Sequence, residues 1–381
     1  MAKCKVSDVC GSCKYIGKPY ELQLAEKMHY IEELFGKYTN VNSIIPCSEP
    51  YYYRNKVNFP FKRVRGGAII YGTYEAGSHR IVERDKCMIE NKKAQEIAAT
   101  IRDIAKKRKM SIYDERTGIG LLRRVLIRVS ETTGQIMVVI VTGQKYFVGK
   151  TDFIKELRTR HPEITTILTN LNERRDSMIL GSMTKKEYGK GYIEDIILGK
   201  KFRISPESFF QVNTKQAELL YTEAMFKSGI MKYDKVLDCY CGTGTISCIA
   251  AALSDNVTGV ELNPHAVADA VINAKKNKIE GVRFVQADAT EYMTEAAREG
   301  IRYDVVIMDP PRAGSTERFI HACTGMAPNT VVYISCNPDT LMRDALLFFK
   351  LGYEMQELTP VDMFPWTDDI ECVAVFRRRN P

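Results

Sequence analysis

The spacing of hydrophobic positions changes along the chain and predicts its elements. Leu22, Ala25, Ile31 and Leu34 recur at the spacing of one helix face, which predicts a helix from about Tyr20 to Phe35. From about residue 40 to residue 200, apolar residues instead form short runs rich in β-branched and aromatic side chains. Examples of the predicted strands are Lys56–Arg63, Ala68–Tyr74, Arg123–Val129 and Ile136–Thr142, and a helix is predicted over Asn91–Lys109. This pattern indicates an α+β region with mostly antiparallel pairing.

After residue 200, short apolar strands alternate with helix-like stretches. These strands are Lys235–Asp238, Val257–Leu262, Val282–Gln286, Asp304–Met308, Val331–Ser335, Tyr353–Leu358 and Cys372–Phe376. Such alternation predicts an α/β, Rossmann-like domain whose mostly parallel sheet is covered by helices on both faces. We therefore divide the chain into a cysteine segment (1–40), a central α+β domain (41–200) and an α/β domain (201–381).

Charge is distributed unevenly between these regions. The 381 residues carry a net charge of +8, but residues 1–200 hold 36 Lys and Arg against 23 Asp and Glu. The basic half predicts a polyanionic partner, and nucleic acid is the expected one. A solvated basic surface that only aids solubility is the alternative. The sequence lacks an apolar run of 18 residues and an apolar segment near its start, so we expect a cytoplasmic protein without a membrane span.

A glycine-containing turn and two acidic residues lie at the ends of three successive strands of the α/β domain. Gly242 and Gly244 lie in the turn after the first strand, where glycine allows a ligand to approach the backbone. Glu261 ends the second strand, 23 residues after Asp238, where a carboxylate can bind ribose hydroxyls. Asp288 ends the third strand, in reach of an adenine. The alternative for Glu261 or Asp288 is a helix N-cap.

The glycine pattern also narrows the choice of cofactor. It lacks the third glycine of the dinucleotide fingerprint, and no Walker-type lysine follows it. A dinucleotide or a nucleoside triphosphate is therefore disfavoured. S-adenosylmethionine, which has a ribose and an adenine but no pyrophosphate, is favoured.

Two polar turns follow the fourth and fifth strands, Asp309–Arg312 and Ser335–Pro338. Cys336 in the second turn is a candidate nucleophile, provided that a nearby cation or helix N-terminus lowers its pKa. Its alternative is a buried apolar thiol, which we accept for three other cysteines, Cys239, Cys248 and Cys323.

One reaction that would require such a thiol is methyl transfer to C5 of uracil, because that carbon is a poor nucleophile. Addition of sulfur at C6 makes an enolate whose C5 can attack a methyl group, and a base must then remove the C5 proton. Glu371, at the start of the last strand, is the candidate base. Position alone does not separate it from Asp368 or Asp369.

Six motifs occur together in this order, and their joint occurrence resembles one family. They are PheGlnValAsn (210–213), AspCysTyrCysGlyThrGly (238–244), ValGluLeuAsnPro (260–264), AspProProArgAlaGly (309–314), SerCysAsnPro (335–338) and AspMetPhePro (362–365) with Glu371. The chain resembles the iron–sulfur-containing RNA uracil-5-methyltransferases, class I S-adenosylmethionine-dependent enzymes that make 5-methyluridine in ribosomal and transfer RNA.

The resemblance implies a role for each matching residue. Cys336 would be the nucleophile and Glu371 the base. The cofactor would contact Gln211, Tyr240, Gly242, Gly244, Thr245, Glu261, Asp288 and Asp309. The uracil would contact Phe210, Asp309 and Arg312, with Phe210 stacking on the base and Asp309 bonding its edge.

Four cysteines suggest a metal site. Cys4, Cys10 and Cys13 have the spacing C-x5-C-x2-C, and Cys87 is the fourth candidate ligand. Four thiolates suit a [4Fe–4S] cluster, and zinc is the competing ligand. The resemblance favours the cluster, in a structural or RNA-positioning role.

The amino-terminal start departs from many relatives, which carry a small β-barrel RNA-binding domain before the cysteines. We expect this chain to lack that domain and to act as a monomer. RNA binding would then fall to the central region, where Tyr51–Lys56 and Lys62–Arg65 mix aromatic and cationic side chains. An edge strand with solvated charges is the alternative. By analogy with the cysteine-containing branch, 23S ribosomal RNA is the expected substrate, and transfer RNA is possible.

Two rival functions remain open at this stage. Another nucleic-acid methyltransferase is the first, because cytosine-5 methylation also uses a thiol, whereas amino-group methylation usually places an aromatic residue where Arg312 stands. A non-catalytic RNA-binding iron–sulfur protein with a disused methyltransferase fold is the second.

Overall fold

The computed structural model describes residues 4–84 and 86–379, which form two compact units. The first unit is built by the chain up to Gly17, by Glu49–Asp195 and by Ile204–Glu207. The second is built by Lys18–Ser48, by Ile196–Arg203 and by the chain from Ser208 onwards.

The elements are numbered here in chain order. The helices are α1 (Ser7–Cys10), α2 (Tyr20–Phe35), α3 (Lys92–Lys107), α4 (Lys150–Arg160), α5 (Thr214–Ser228), α6 (Thr245–Ala250), α7 (Pro264–Lys276), α8 (Ala289–Arg298), α9 (Glu317–Gly325) and α10 (Pro338–Lys350). The strands are β1 (Asn40–Val41), β2 (Lys56–Arg63), β3 (Ile69–Tyr74), β4 (Ile81–Glu83), β5 (Leu122–Val129), β6 (Ile136–Thr142), β7 (Ile164–Leu171), β8 (Met183–Tyr188), β9 (Ile193–Ile197), β10 (Lys200–Ile204), β11 (Lys235–Cys239), β12 (Asn256–Glu261), β13 (Val282–Gln286), β14 (Val305–Met308), β15 (Thr330–Ser335), β16 (Tyr353–Val361) and β17 (Glu371–Arg378).

The second unit contains an eight-stranded sheet in the order β1-β16-β17-β15-β14-β11-β12-β13. Strands β11 to β15 pair in parallel, whereas β17 is antiparallel to both β15 and β16, so the sheet is mixed. Strand order reverses between β11 and β14. Ligands of such sheets bind at the carboxyl ends of the strands beside this point.

Local sequence explains why the helices of this unit begin where they do. Asn263 accepts a hydrogen bond from the His265 backbone N–H and Pro264 follows it at the first helical position of α7. Asn337 and Pro338 repeat this arrangement at α10. Proline suits a first turn because its missing N–H would have no helical partner there. These caps fix the turns in which functional residues lie.

The first unit contains a seven-stranded sheet in the order β4-β3-β2-β5-β6-β7-β8. Its pairs are antiparallel except β6 with β7. Helix α3 buries one face, including Ile97, Ile101 and Ile104, in the core of this unit. The α+β character and the four strands predicted here are confirmed, with ends shifted by at most one residue.

The compact units divide the chain at other residues than the predicted boundaries of 40 and 200. The segment that carries α2 joins the α/β unit because β1 pairs in parallel with β16, with Asn40 opposite Glu357. The core of that unit also includes Ile31 and Phe35 of α2. Within residues 4–84 and 86–379, no helix is long and apolar enough to cross a bilayer.

Candidate functional site

The turn after β11 adopts a backbone that depends on glycine. Gly242 and Gly244 have φ of 53° and 78°, and Tyr240 has φ of 63°. A Cβ on Gly244 would lie 2.8 Å from the Phe284 ring and 2.9 Å from the Ala270 Cβ. Gly242 instead faces open space within 4 Å. The turn therefore packs tightly on one side and exposes its backbone on the other.

The two acidic residues after β12 and β13 have different partners. Glu261 accepts hydrogen bonds from the backbone N–H of Gly242 at 3.1 Å and of Asn263 at 2.8 Å. Asp288 accepts from Thr290 and Glu291 N–H and is the N-cap of α8. Asp288 thus caps α8, whereas Glu261 joins the glycine turn to the end of β12.

A cavity opens beside this turn, next to the strand-order reversal. It is lined by Ile197, Phe209, Phe210, Gln211, Tyr221, Tyr240, Cys241, Gly242, Thr243, Thr245, Ile246 and Asp309. It brings together six of the predicted site residues, namely Phe210, Gln211, Tyr240, Gly242, Thr245 and Asp309. Phe210 is buried there, and its neighbour Phe209 is 65% exposed.

Two polar residues near the cavity, Tyr221 and Asp238, were assigned no role from the sequence. Tyr221 lies on the buried face of α5, where a tyrosine resembles an ordinary core residue. Asp238 lies behind the turn, fully buried, and accepts a hydrogen bond from Ser247 Oγ at 2.5 Å through Oδ2. Its Oδ1 has no hydrogen-bond partner among the described residues. Burial raises the pKa of Asp238 to about 7.

Cys336 and Glu371 approach each other through strand register. In the antiparallel pair of β15 and β17, Ser335 lies opposite Cys372, so the next step places Cys336 opposite Glu371. Glu371 is buried. Burial raises its pKa well above the usual range, as do the charges of Asp309 and Asp369, while Arg312 acts in the opposite direction.

The thiol of Cys336 is not activated in the free protein. Burial, then the negative charges of Glu371 and Asp309, raise its pKa to about 11, although Arg312 opposes them. The pKa-lowering effect of the Arg312 cation is therefore outweighed by burial of the thiol and by the two carboxyl groups. Burial raises the pKa of Asp309 itself to about 7. Cys336, Glu371 and Asp309 thus form one electrostatic cluster at the end of the sheet.

The structure distinguishes the three candidate carboxylates, Asp368, Asp369 and Glu371, which sequence position alone does not. Arg312 Nη2 donates to Asp369 Oδ1 at 2.6 Å, so Asp369 is bound in an ion pair. Asp368 is exposed, and Glu371 is the buried carboxyl group beside the thiol. Asn337 Nδ2 donates to the Arg312 carbonyl at 3.2 Å, which joins the two polar turns.

Comparison with known proteins identifies the family. Residues 177–379 match the family model described as tRNA (Uracil-5-)-methyltransferase. An RNA methyltransferase of Halalkalibacterium halodurans, described as uncharacterized, is 38% identical over 384 residues, covering 100% of this chain and 84% of that protein. Another from Clostridium acetobutylicum is 38% identical over 382 residues, covering 98% of this chain and 83% of that protein. The chain belongs to the tRNA (uracil-5-)-methyltransferase family.

Membership of this family makes the chain an enzyme, an S-adenosylmethionine-dependent RNA uracil-5-methyltransferase. Among solved structures it is similar to the Pyrococcus abyssi tRNA (uracil-54, C5)-methyltransferase in complex with S-adenosyl-L-homocysteine. The TM-score is 0.78 at 26% identity, and the match covers 96% of this chain and 85% of that one.

The predicted iron–sulfur site is wrong for this uracil-5-methyltransferase. Among the described residues, no group of three or more His, Cys, Asp or Glu side chains is arranged to hold a metal ion. Cys10 is buried, with its thiol 3.2 Å from Ser12 Oγ and 3.5 Å from Arg84 Nη1. Burial, then the neighbouring thiols Cys87, Cys10 and Cys4, raise the pKa of Cys13 to about 12.

Proposed function

We propose that this enzyme methylates C5 of a uridine in RNA through a covalent bond between Cys336 and C6 of the uracil. The observation that carries the proposal is the register of β15 and β17, in which Ser335 lies opposite Cys372, together with the charges of Glu371 and Asp309 that act on the Cys336 thiol. A nucleophile and a buried base side by side are what addition followed by elimination requires.

The reaction balances with these groups. The Cys336 thiol releases its proton to solvent, its sulfur bonds to C6, and the C5–C6 electron pair moves through C4 onto O4 to give an enolate. C5 then takes the methyl group that S-adenosylmethionine supplies from its sulfonium. The Glu371 carboxylate removes the C5 proton, the C5–C6 double bond forms again, and the sulfur leaves C6.

The residues of the cavity region fit the cofactor. Gly242 presents open backbone, Glu261 offers a carboxylate beside it, and the unpartnered Oδ1 of Asp238 lies behind the turn. We assign Glu261 to the ribose hydroxyls. Gln211, Tyr240, Gly244, Thr245 and Asp288 remain proposed contacts, and Gly244 acts through the shape of the turn.

Replacing Glu261 by glutamine is expected to weaken binding of S-adenosyl-L-homocysteine about tenfold, because a hydrogen bond to a charged acceptor is roughly twice as strong as a neutral one. Isothermal titration calorimetry of the full chain measures the affinity. Glu354→Gln, an exposed carboxylate of β16, is the matched control and should bind as the wild type does. Equal affinity of both variants would contradict the assignment of Glu261.

The proposed RNA contacts of the first unit are partly exposed. Tyr51 and Tyr52 are 39% and 36% exposed, and the Lys92 ammonium lies 4.3 Å from the centroid of the Tyr52 ring. Arg63 instead donates to the carbonyls of Gly67 and Met110, so it holds the backbone. Aromatic rings beside cations suit unpaired RNA bases, which supports Tyr51 and Tyr52 as stacking residues.

The proposed substrate is 23S ribosomal RNA. This proposal rests on the spacing of the amino-terminal cysteines, which is similar to the spacing in the ribosomal RNA branch of the family. The similarity is one of sequence and does not depend on metal binding. Transfer RNA is the second candidate, because the Pyrococcus abyssi relative acts on tRNA according to its description.

Tritiated S-adenosylmethionine is expected to label one nucleoside, 5-methyluridine, when the enzyme is incubated with unmodified 23S ribosomal RNA. Nuclease digestion and chromatography identify the labelled nucleoside, and parallel incubation with unmodified transfer RNA compares the two substrates. Label in transfer RNA alone would refute the ribosomal assignment. Label in 5-methylcytidine would refute the uracil assignment.

A further inference from the structure

The loop that leads to the proposed base is the connection between β16 and β17. It spans residues 362–370, and Val361 pairs with Glu371 across its base. Asp369 of this loop binds Arg312, two residues before Glu371. The conformation of the loop therefore sets the positions of both Glu371 and the Arg312–Asp369 pair.

Helix α2 presents three polar side chains to the first residue of this loop. Tyr20, Gln23 and Lys27 lie at spacing i, i+3 and i+7, on one helix face. Tyr20 Oη donates to Asp362 Oδ2 at 2.6 Å, Gln23 Nε2 donates to the same oxygen at 2.8 Å, and Lys27 Nζ donates to Oδ1 at 2.6 Å. Gln23 and Asp362 are fully buried, and Lys27 is 3% exposed.

The same side chains reach both limbs of the loop. Lys27 Nζ also donates to the carbonyls of Phe364 at 3.3 Å and Asp369 at 2.7 Å. Gln23 Oε1 accepts from the Trp366 backbone N–H at 2.6 Å. One ammonium thus fixes the beginning and the end of the loop.

The network is costly to rearrange. A buried charge that loses its partner is strongly destabilising, so the loop is held to the single conformation that satisfies every member. The ring of Tyr20 packs on Trp366 with centroids 5.5 Å apart, which adds an apolar contact. Helix α2 lies outside residues 177–379, where the family match falls.

We propose that Tyr20, Gln23, Lys27 and Asp362 are positioning residues of the methyl transfer, which hold the 362–370 loop so that Glu371 and Arg312 face Cys336. The inference rests on the proposed function of Glu371. Because a displacement of about 1 Å costs on the order of 10²-fold in rate, releasing the loop is expected to lower kcat without weakening cofactor binding.

The test removes both charges at once, since a single change leaves a buried ion that could unfold the chain. The double variant Lys27→Met/Asp362→Leu is expected to lower kcat about 10²-fold, where kcat is calculated from the concentration of protein that binds S-adenosyl-L-homocysteine. The dissociation constant of S-adenosyl-L-homocysteine should stay within about twofold of wild type. Tyr20→Phe loses one hydroxyl and should lower kcat about fivefold. Amide hydrogen exchange of residues 362–370 should become faster in the double variant.

The matched control is the ion pair between α5 and β16, Lys227→Met/Glu357→Leu, which is expected to keep wild-type kcat and loop exchange. Wild-type kcat per binding site in the Lys27/Asp362 variant would overturn the inference, whether or not the loop exchanges faster. Turnover is measured as the tritium transferred to any nucleoside. If the wild-type enzyme labels a base other than uracil, the uridine assignment is refuted, but the kcat values of the variant and the wild type can still be compared.

Discussion

Replacing Cys336 by alanine is expected to abolish methyl transfer, lowering kcat by at least about 10⁴-fold, because no enolate forms without addition of sulfur to C6. Tritium transfer to RNA measures the loss. RNA that contains 5-fluorouridine gives a second readout, since fluorine cannot leave C5 as a proton and the wild type should form a stable adduct. Binding of S-adenosyl-L-homocysteine should be retained.

Cys323→Ala is the control for this variant, because Cys323 is a fully buried thiol of the core, assigned no chemistry. It is expected to keep turnover and adduct formation, with a modest loss of stability from the small cavity. An adduct formed by the Cys336→Ala variant would show that another group attacks the ring, and the mechanism would be wrong.

Burial is the main cause of the raised pKa of Cys336, and the carboxyl group of the proposed base, Glu371, contributes next. A carboxyl group close enough to serve C5 is also close enough to disfavour a thiolate, and Asp309 adds to this effect. Arg312 offsets part of it, while being held by Asp369. These surroundings favour the protonated thiol, so in the proposed mechanism the thiol proton passes to solvent before the sulfur attacks. A resting thiol is also less prone to oxidation than a thiolate.

Much of the fold could be predicted from local patterns. Helix α2 and strands β2, β6 and β13 have the predicted ends, because apolar periodicity and turn residues act within each segment. Strand β8, MetThrLysLysGluTyr, was missed because it is an edge strand with little buried apolar surface. The association of α2 with the α/β unit depends on pairing of β1 with β16, which is more than 300 residues distant and has no local signal.

In the candidate site too, features within one segment could be predicted from the sequence, whereas features that depend on strand pairing could not. The glycine turn and the acidic strand ends are visible in sequence because each follows one strand. Which carboxylate meets the thiol depends on the register of β15 and β17, and this register required the structure. Cysteine spacing was the weakest guide, since it describes four thiols without describing what surrounds them. Arg84, which contacts Cys10 and forms an ion pair with Glu90, was not foreseen there.

Replacing Glu371 by glutamine is expected to trap the methylated adduct on natural RNA, because methyl transfer can proceed while the C5 proton cannot be removed. Turnover should fall by about 10²- to 10⁴-fold, the range for loss of a general base. Denaturing gel electrophoresis should then show protein bound to RNA without any fluorinated nucleotide. The amide has the shape of the carboxyl group, and burial already disfavours the charged form of Glu371, so the variant should fold.

Asp368→Asn provides the control, since Asp368 is exposed in the same loop, three residues before the proposed base. This variant should turn over as the wild type does and leave no adduct. If Glu371→Gln turns over normally while Asp368→Asn accumulates adduct, the exposed carboxylate is the base, and burial beside the thiol is not what selects it. If the adduct in Glu371→Gln carries no transferred methyl group, Glu371 acts before methyl transfer, and proton removal belongs to another residue.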